Sequence, residues 1–325
     1  MRVWSLLGLS VLLSGIAAAQ QPGRVYRIGY TQIVDHPALN ATRQGFLDGL
    51  KAAGFVEGRN LVFEYQNAQG DVGNARNIAD RFLADKVDLI APCSTPSTQA
   101  AVRVARGGGV PVVFGCVSNP VEAGIVASLD KPGGGNVTGA YGFPPVARMF
   151  EVIRAVRPDA TRIGTLYNAG ETNAATFARL AKAEAEQRGL AWVEIAISGS
   201  AEVKTAAESL AGRVDGLLLG QDNTVAAAFD AVLKTARDAK LPLFSFDATA
   251  AERGAIASFG QNQYQTGVDW ATELAVPVLR GKDPGALSPV PYHAYDLQLN
   301  TGAAAAAGVV LPADLIAVAA KVFDH

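Results

Sequence analysis

Apolar runs of strand length recur along this chain, and four of them end in uncharged or acidic polar residues before a helical pattern begins. They are VDLIAPCSTPSTQA (87–100), VPVVFGCVSNPVEA (110–123), TRIGTLYNAGETNA (161–174) and VDGLLLGQDNTVAA (214–227). A continuous apolar run bounded by turn residues suits a strand buried on both faces of a parallel sheet. In such sheets ligands bind beyond the carboxyl ends of the strands. Two of the runs precede residue 150 and two follow it. The pattern predicts two similar lobes that face a small polar molecule across a cleft.

Strands are predicted over 25–31, 60–66, 87–92, 110–116 and 136–141, with helices over 37–53, 73–85 and 96–106 between them. The alternation restarts with a helix at 145–156. Strands follow at 161–167, 191–197, 214–219 and 241–246, separated by helices at 173–188, 201–211 and 224–239. A strand at 255–261, a helix at 262–280, an extended segment at 288–298 and an Ala-rich helix at 301–323 complete the chain. The expected class is α/β, two doubly wound parallel-sheet lobes joined by three crossings near 141–145, 255–260 and 286–290.

The first nineteen residues change the picture of location. Arg2, the apolar stretch Trp4–Leu13 and Ala17-Ala18-Ala19 have the form of a secretory signal peptide. Ser5, Gly8, Ser10, Ser14 and Gly15 interrupt that stretch, which leaves it short of the ~20 apolar residues of a spanning helix. The expectation is a soluble protein of the periplasm or extracytoplasmic space. Cleavage takes the net charge from −2 to −3, and no basic run marks a nucleic-acid or anionic-membrane partner.

Export makes a disulfide chemically allowed between the two cysteines, Cys93 and Cys116. Each closes a predicted strand. If those strands are neighbours a bridge is within reach; otherwise the two are small buried thiols. The three histidines, His36, His293 and His325, have no metal-ligand spacing, and no metal or cofactor is expected.

Polar residues at the strand tips are the candidate site. His36 follows the first strand, either lining a pocket or capping the helix that opens at Pro37. Thr95 and Ser97 sit with Ser94 and Thr98 at a helix start, where free N–H groups seat a carboxylate and hydroxyls also serve as caps. Ser118 and Asn119 are the matching cluster after the next strand. In the second lobe Asn168, Glu171 and Asn173 follow one strand and Asp222 another, with Asp247 after LFSFD. An acid there either caps a helix or holds a ligand ammonium, since a buried carboxylate needs a cationic partner. Tyr141, at the first crossing, is a stacking candidate. No GxSxG elbow, Walker loop or HExxH is present, and the Gly-rich PGGGNVTG (132–139) precedes a strand instead of leading into a helix. No enzyme activity is expected.

The stretches IVDHPALNATRQGFLDGL, NAQGD, STPSTQAA, VSNPVEAG, LDKPGGGNVTGAYG, LYNAGETNA and LGQDNTVAAAFDA together resemble a known family. It is the extracytoplasmic substrate-binding proteins of ABC importers, in their tryptophan/aromatic amino-acid-binding branch with a type I periplasmic-binding fold. The resemblance implies a monomer that closes over an amino acid and delivers it to permease subunits. It implies lobes of 24–142 plus 257–286 and of 143–256 plus 287–325. It also implies that the ligand carboxylate meets hydroxyls and amides of the STPS loop while its ammonium meets the acid of the DNT motif. This nominates Thr95, Ser97, Ser118, Asn173 and Asp222. Two departures stand out: Ser118-Asn119 replaces a frequent Thr-Asp, and Cys93 and Cys116 replace small residues.

Overall fold

The computed structural model describes residues 23–325 except 108, 131, 133–134 and 293–294, so the expected leader at 1–19 and His293 lie outside the described residues. The described strands, in chain order, are β1 (Tyr26–Gln32), β2 (Leu61–Asn67), β3 (Leu89–Cys93), β4 (Val112–Val117), β5 (Val137–Tyr141), β6 (Arg162–Asn168) and β7 (Ala191–Ile197). They continue with β8 (Gly216–Leu219), β9 (Leu243–Ser245), β10 (Ala257–Gly260), β11 (Val290–Pro291), β12 (Asp296–Asn300) and β13 (Lys321–Phe323). One sheet has the order β11-β5-β4-β3-β1-β2 and the other β13-β12-β10-β9-β8-β6-β7. Among the described residues all strand pairings are parallel except β10 with β12. The chain is α/β with two doubly wound lobes, each repeating one winding. The first strand of each lobe (β1 or β6) is flanked by the second and third, and this reversal of winding opens a crevice at the carboxyl ends.

The apolar runs earn their burial. Leu89, Ile90, Ala91 and Cys93 of β3 and Leu217 and Leu218 of β8 are fully enclosed. Helix Pro37–Ala52 lays Leu39, Phe46 and Leu50 on the first sheet, with Phe46 centred 4.4 Å from the buried Trp270 ring. Trp270 comes from the segment that returns to this lobe late in the chain. It can approach because Gly45 and Gly267 face each other: a β-carbon at either would overlap the backbone of the opposite helix.

Three stretches differ from expectation. The run at 255–261 gives β10, which pairs with β9 and β12 in the second sheet, so the second crossing falls after Gly260. The extended segment at 288–298 is two strands in different sheets, β11 against β5 and β12 against β10, so the third crossing lies between Pro291 and Asp296. A two-residue edge strand has no periodicity to reveal it. The Ala-rich stretch is not one helix: helix Thr301–Ala306 stops before Gly308, whose φ is +73°, and a short helix Ala313–Ala317 and β13 follow.

Candidate functional site

The strand tips of both sheets converge on one cavity of about 90 Å³. At 10–15 Å³ per water position it has room for on the order of six to nine waters, the bulk of an amino acid. The first lobe contributes His36 beyond β1, Thr95 beyond β3, and Cys116, Val117 and Ser118 at the end of β4. The second contributes Asn173 beyond β6, Gln221, Asp222 and Asn223 beyond β8, and Phe246 and Asp247 beyond β9. Gly142, Gln261, Tyr292 and Tyr295 of the three crossings close one side. Among the described residues lining it, none is Lys or Arg.

Local chemistry explains which tip residues reach the cavity. Ser94 is the cap of helix Thr95–Ala105, accepting the Ser97 N–H at 3.4 Å, while the Thr98 hydroxyl donates back to the Ser94 carbonyl at 2.7 Å. Thr95 is thereby free to face the cavity. Ser97 is fully buried, its hydroxyl has no protein partner, and it is not in the lining. Asn119 accepts the Glu122 N–H and donates to its carboxylate, both at 3.1 Å, as part of a surface turn. Tyr141 packs edge-on to Phe143 at 5.6 Å, away from the cavity. Asn168 donates to the Thr224 hydroxyl at 2.8 Å and does not line the cavity either.

Cys93 and Cys116 are joined as a disulfide between β3 and β4, with Cα atoms 5.1 Å apart. Cys116 places this bridge in the cavity wall.

Glu171 departs most from its expected role. It is buried behind the cavity and caps the helix that starts at Asn223, accepting the N–H groups of Asn223 (3.2 Å) and Thr224 (3.0 Å). The Thr224 hydroxyl (2.8 Å) and the amides of Asn223 (2.5 Å) and Asn173 (3.2 Å) also donate to it. Asp222 accepts the Asn168 N–H at 2.6 Å and the Val225 N–H at 2.9 Å and keeps an open side toward the cavity. Burial, and then the charge of Glu171, push the Asp222 carboxyl up to about 7. Burial lowers the pKa of His36, against the pull of Asp247, Asn223 and Glu171.

Asn223, the neighbour of Asp222 in the DNT motif, lines the cavity; Gln221, Gln261, Gln263, Tyr292 and Tyr295 also line it and were not singled out by the sequence. Tyr295 donates to the Gly142 carbonyl at 2.9 Å and accepts from Gln221 at 3.0 Å, tying two crossings to the β8 tip. Burial raises the pKa of both Tyr292 and Tyr295.

Two repeated sheets whose tips enclose one polar cavity, bridged by three crossings, define a solute-binding architecture. The chain matches the ABC transporter substrate binding protein family over residues 27–323 and belongs to it. The family consists of solute-binding proteins, not enzymes. A tyrosine-binding protein of Clostridioides difficile is 36% identical over 258 residues, 79% of this chain and 74% of that one. An ABC domain from Streptococcus pneumonia, solved in complex with L-Trp, is 27% identical with a TM-score of 0.87, covering 92% of this chain and 100% of that one. A ligand-free, open substrate binding protein with adhesive properties from Clostridium difficile is 34% identical, covering 93% and 100%, with a TM-score of only 0.67.

The more identical relative overlays less well, as expected when lobes of one fold are set at different angles. In this chain they are together. Gln99 donates to the Thr172 hydroxyl at 3.1 Å, Arg179 pairs with Glu122 at 2.8 Å, and His36 meets Asn223 at 3.5 Å, each across the gap.

Proposed function

We propose that this chain is the extracytoplasmic, monomeric binding component of an ABC importer, and that it carries an amino acid, tyrosine or another aromatic, to a permease. The observation that carries the reading is the charge of the cavity. Two carboxylates, Asp222 and Asp247, reach it without a Lys or Arg among the described lining residues, and a buried carboxylate calls for a cation. The ligand ammonium supplies that cation. Its carboxylate goes to the other lobe, to the Thr95 and Ser118 hydroxyls and the positive start of helix Thr95–Ala105. Leu39, Ala226, Val117 and Phe246 leave an apolar stretch for the side chain. The tyrosine and L-Trp named for two relatives support the aromatic choice.

In this reading residues 1–19 direct export. The moving bodies are 24–142 with 261–291 and 143–260 with 292–325, their limits set by sheet membership. Closure is a hinge motion biased by ligand contacts to both lobes. The test is a thermal-shift screen over the twenty amino acids, since a ligand at a hundred times its Kd stabilises by about 2.7 kcal/mol. Aromatic amino acids are expected to stabilise most, and Asp222→Ala to weaken their binding by about 2 kcal/mol or more. No stabilisation by any amino acid overturns the reading.

A further inference from the structure

The hydrogen-bond polarity behind the cavity runs in one direction, and its source is Glu171. A carboxylate only accepts, so the two amides that touch it must turn their nitrogens toward it. Asn173 uses both amide hydrogens, one to Glu171 at 3.2 Å and one to the Gln221 carbonyl at 2.7 Å. Its Oδ1 is left buried and without a protein partner, in a residue that is 8% exposed and lines the cavity. Asn223 gives its amide nitrogen to Glu171 at 2.5 Å, and its Oδ1 therefore faces His36 Nε2 at 3.5 Å. An amide oxygen cannot donate, so Nε2 carries the imidazole proton. The neutral ring, kept so by burial and by the nearby positive charge of Arg253 against the pull of Asp247, Asn223 and Glu171, then has a bare acceptor at Nδ1. That atom too is buried without a protein partner, in a cavity-lining residue that is 9% exposed.

We propose that Glu171 is a positioning residue that sets Asn173 Oδ1 and His36 Nδ1 as acceptors, which with the Asp222 carboxylate receive the three hydrogens of a primary ammonium group. This rests on the amino-acid reading and adds to it the residue that enforces selection for the amine. Three acceptors match the three donors of R–NH3+ and repel a carboxylate. The seat is also linked to closure, because His36 belongs to the first lobe and its tautomer is dictated by Asn223 of the second. With the lobes apart, the Nε2 proton has no such partner and Nδ1 is no longer held as an acceptor.

The experiment is calorimetry with L-tyrosine, L-tryptophan and the des-amino analogue of each, in which hydrogen replaces the amino group. The wild-type chain is expected to prefer the amino acid. In Glu171→Gln the amide can donate, Asn173 and Asn223 are free to flip, and the preference is expected to shrink by about tenfold or more. Damage that is merely structural lowers both affinities together and leaves their ratio intact, which overturns the inference. Asn173→Ala and His36→Leu remove an acceptor and leave Glu171 in place. Each is expected to shrink the same ratio, so the inference stays testable if Glu171→Gln does not fold; an unchanged ratio in both overturns it. Wild-type binding of an amino acid with no preference over its des-amino analogue overturns this inference and the placing of the ammonium against Asp222, and leaves the amino-acid cargo standing. Wild-type binding of none of the twenty amino acids overturns the amino-acid reading and this with it.

Discussion

The hydroxyl of Tyr292 accepts the backbone N–H of Cys116 at 2.8 Å, which pins the third crossing to the β4 tip that carries the disulfide. Cys116 has a φ of +55°, so its N–H is turned out of the regular ladder. Tyr292→Phe leaves that donor without its acceptor. An unsatisfied buried donor costs about 1–3 kcal/mol, and the low end is expected here because the adjoining cavity admits water. A urea titration of the unliganded protein reads it. An unchanged midpoint would show that the crossing does not depend on this bond.

The Cys93–Cys116 bridge spans 23 residues. Closing a loop of that length removes disorder from the unfolded chain worth about 3 kcal/mol. Reduction, or the paired change Cys93→Ala and Cys116→Ala, is expected to lower the stability of the first lobe by that order. Identical denaturation curves before and after complete release of both thiols would contradict this. Because Cys116 lies in the cavity wall, the reduced protein is also expected to bind its ligand more weakly.

The sheets were legible because the middles of β3, β4, β6 and β8 are enclosed on both faces, where apolar residues predominate and the one buried hydroxyl of β6, Thr165, bonds the Leu218 carbonyl. The site was legible more coarsely. A polar residue at a strand tip serves either its own backbone or the cleft, and residue type does not separate the two. Thr95 and Ser97 make the point: two positions apart on a helix they point about 200° away from each other, so one faces the cavity and the other the interior. Glu171 reads in the chain as a ligand acid or the cap of its own helix, yet it is spent on the N-terminus of a helix 52 residues later, a partner that only the winding of the sheet brings near. Tyr292 and Tyr295 carried no signal, because the crossing they occupy has neither period nor motif.

Arg179 and Glu122 meet across the rim of the cleft at 2.8 Å, with side chains 61% and 35% exposed. Water and salt reach both. Exposed pairs contribute about 0.2–1 kcal/mol and are screened further at high ionic strength. Arg179→Ala is therefore expected to change ligand affinity less than tenfold at low salt and hardly at all at high salt. A larger loss, persisting in high salt, would mean that closure is held from the rim and not from the cavity.

Asp222 gives the site a pH dependence whose sign follows from its environment. Its carboxyl titrates near 3.8 when free and is pushed up to about 7 by burial and by Glu171. Between those values the unliganded folded state binds a proton that the unfolded state does not. The stability from this group is thus complete below the lower value and lost as pH rises through the upper one. Ligand reverses the preference, because an ammonium beside Asp222 requires the ionised form. Binding below pH 7 must then expel a proton, and affinity is expected to fall by up to about tenfold per pH unit below that point. Calorimetry in buffers of different ionisation enthalpy would register the released proton, and Asp222→Asn would flatten this part of the profile. A wild-type affinity that is level through this range, with no proton released, would mean that Asp222 is already ionised in the empty cavity or that the ligand's positive charge sits elsewhere.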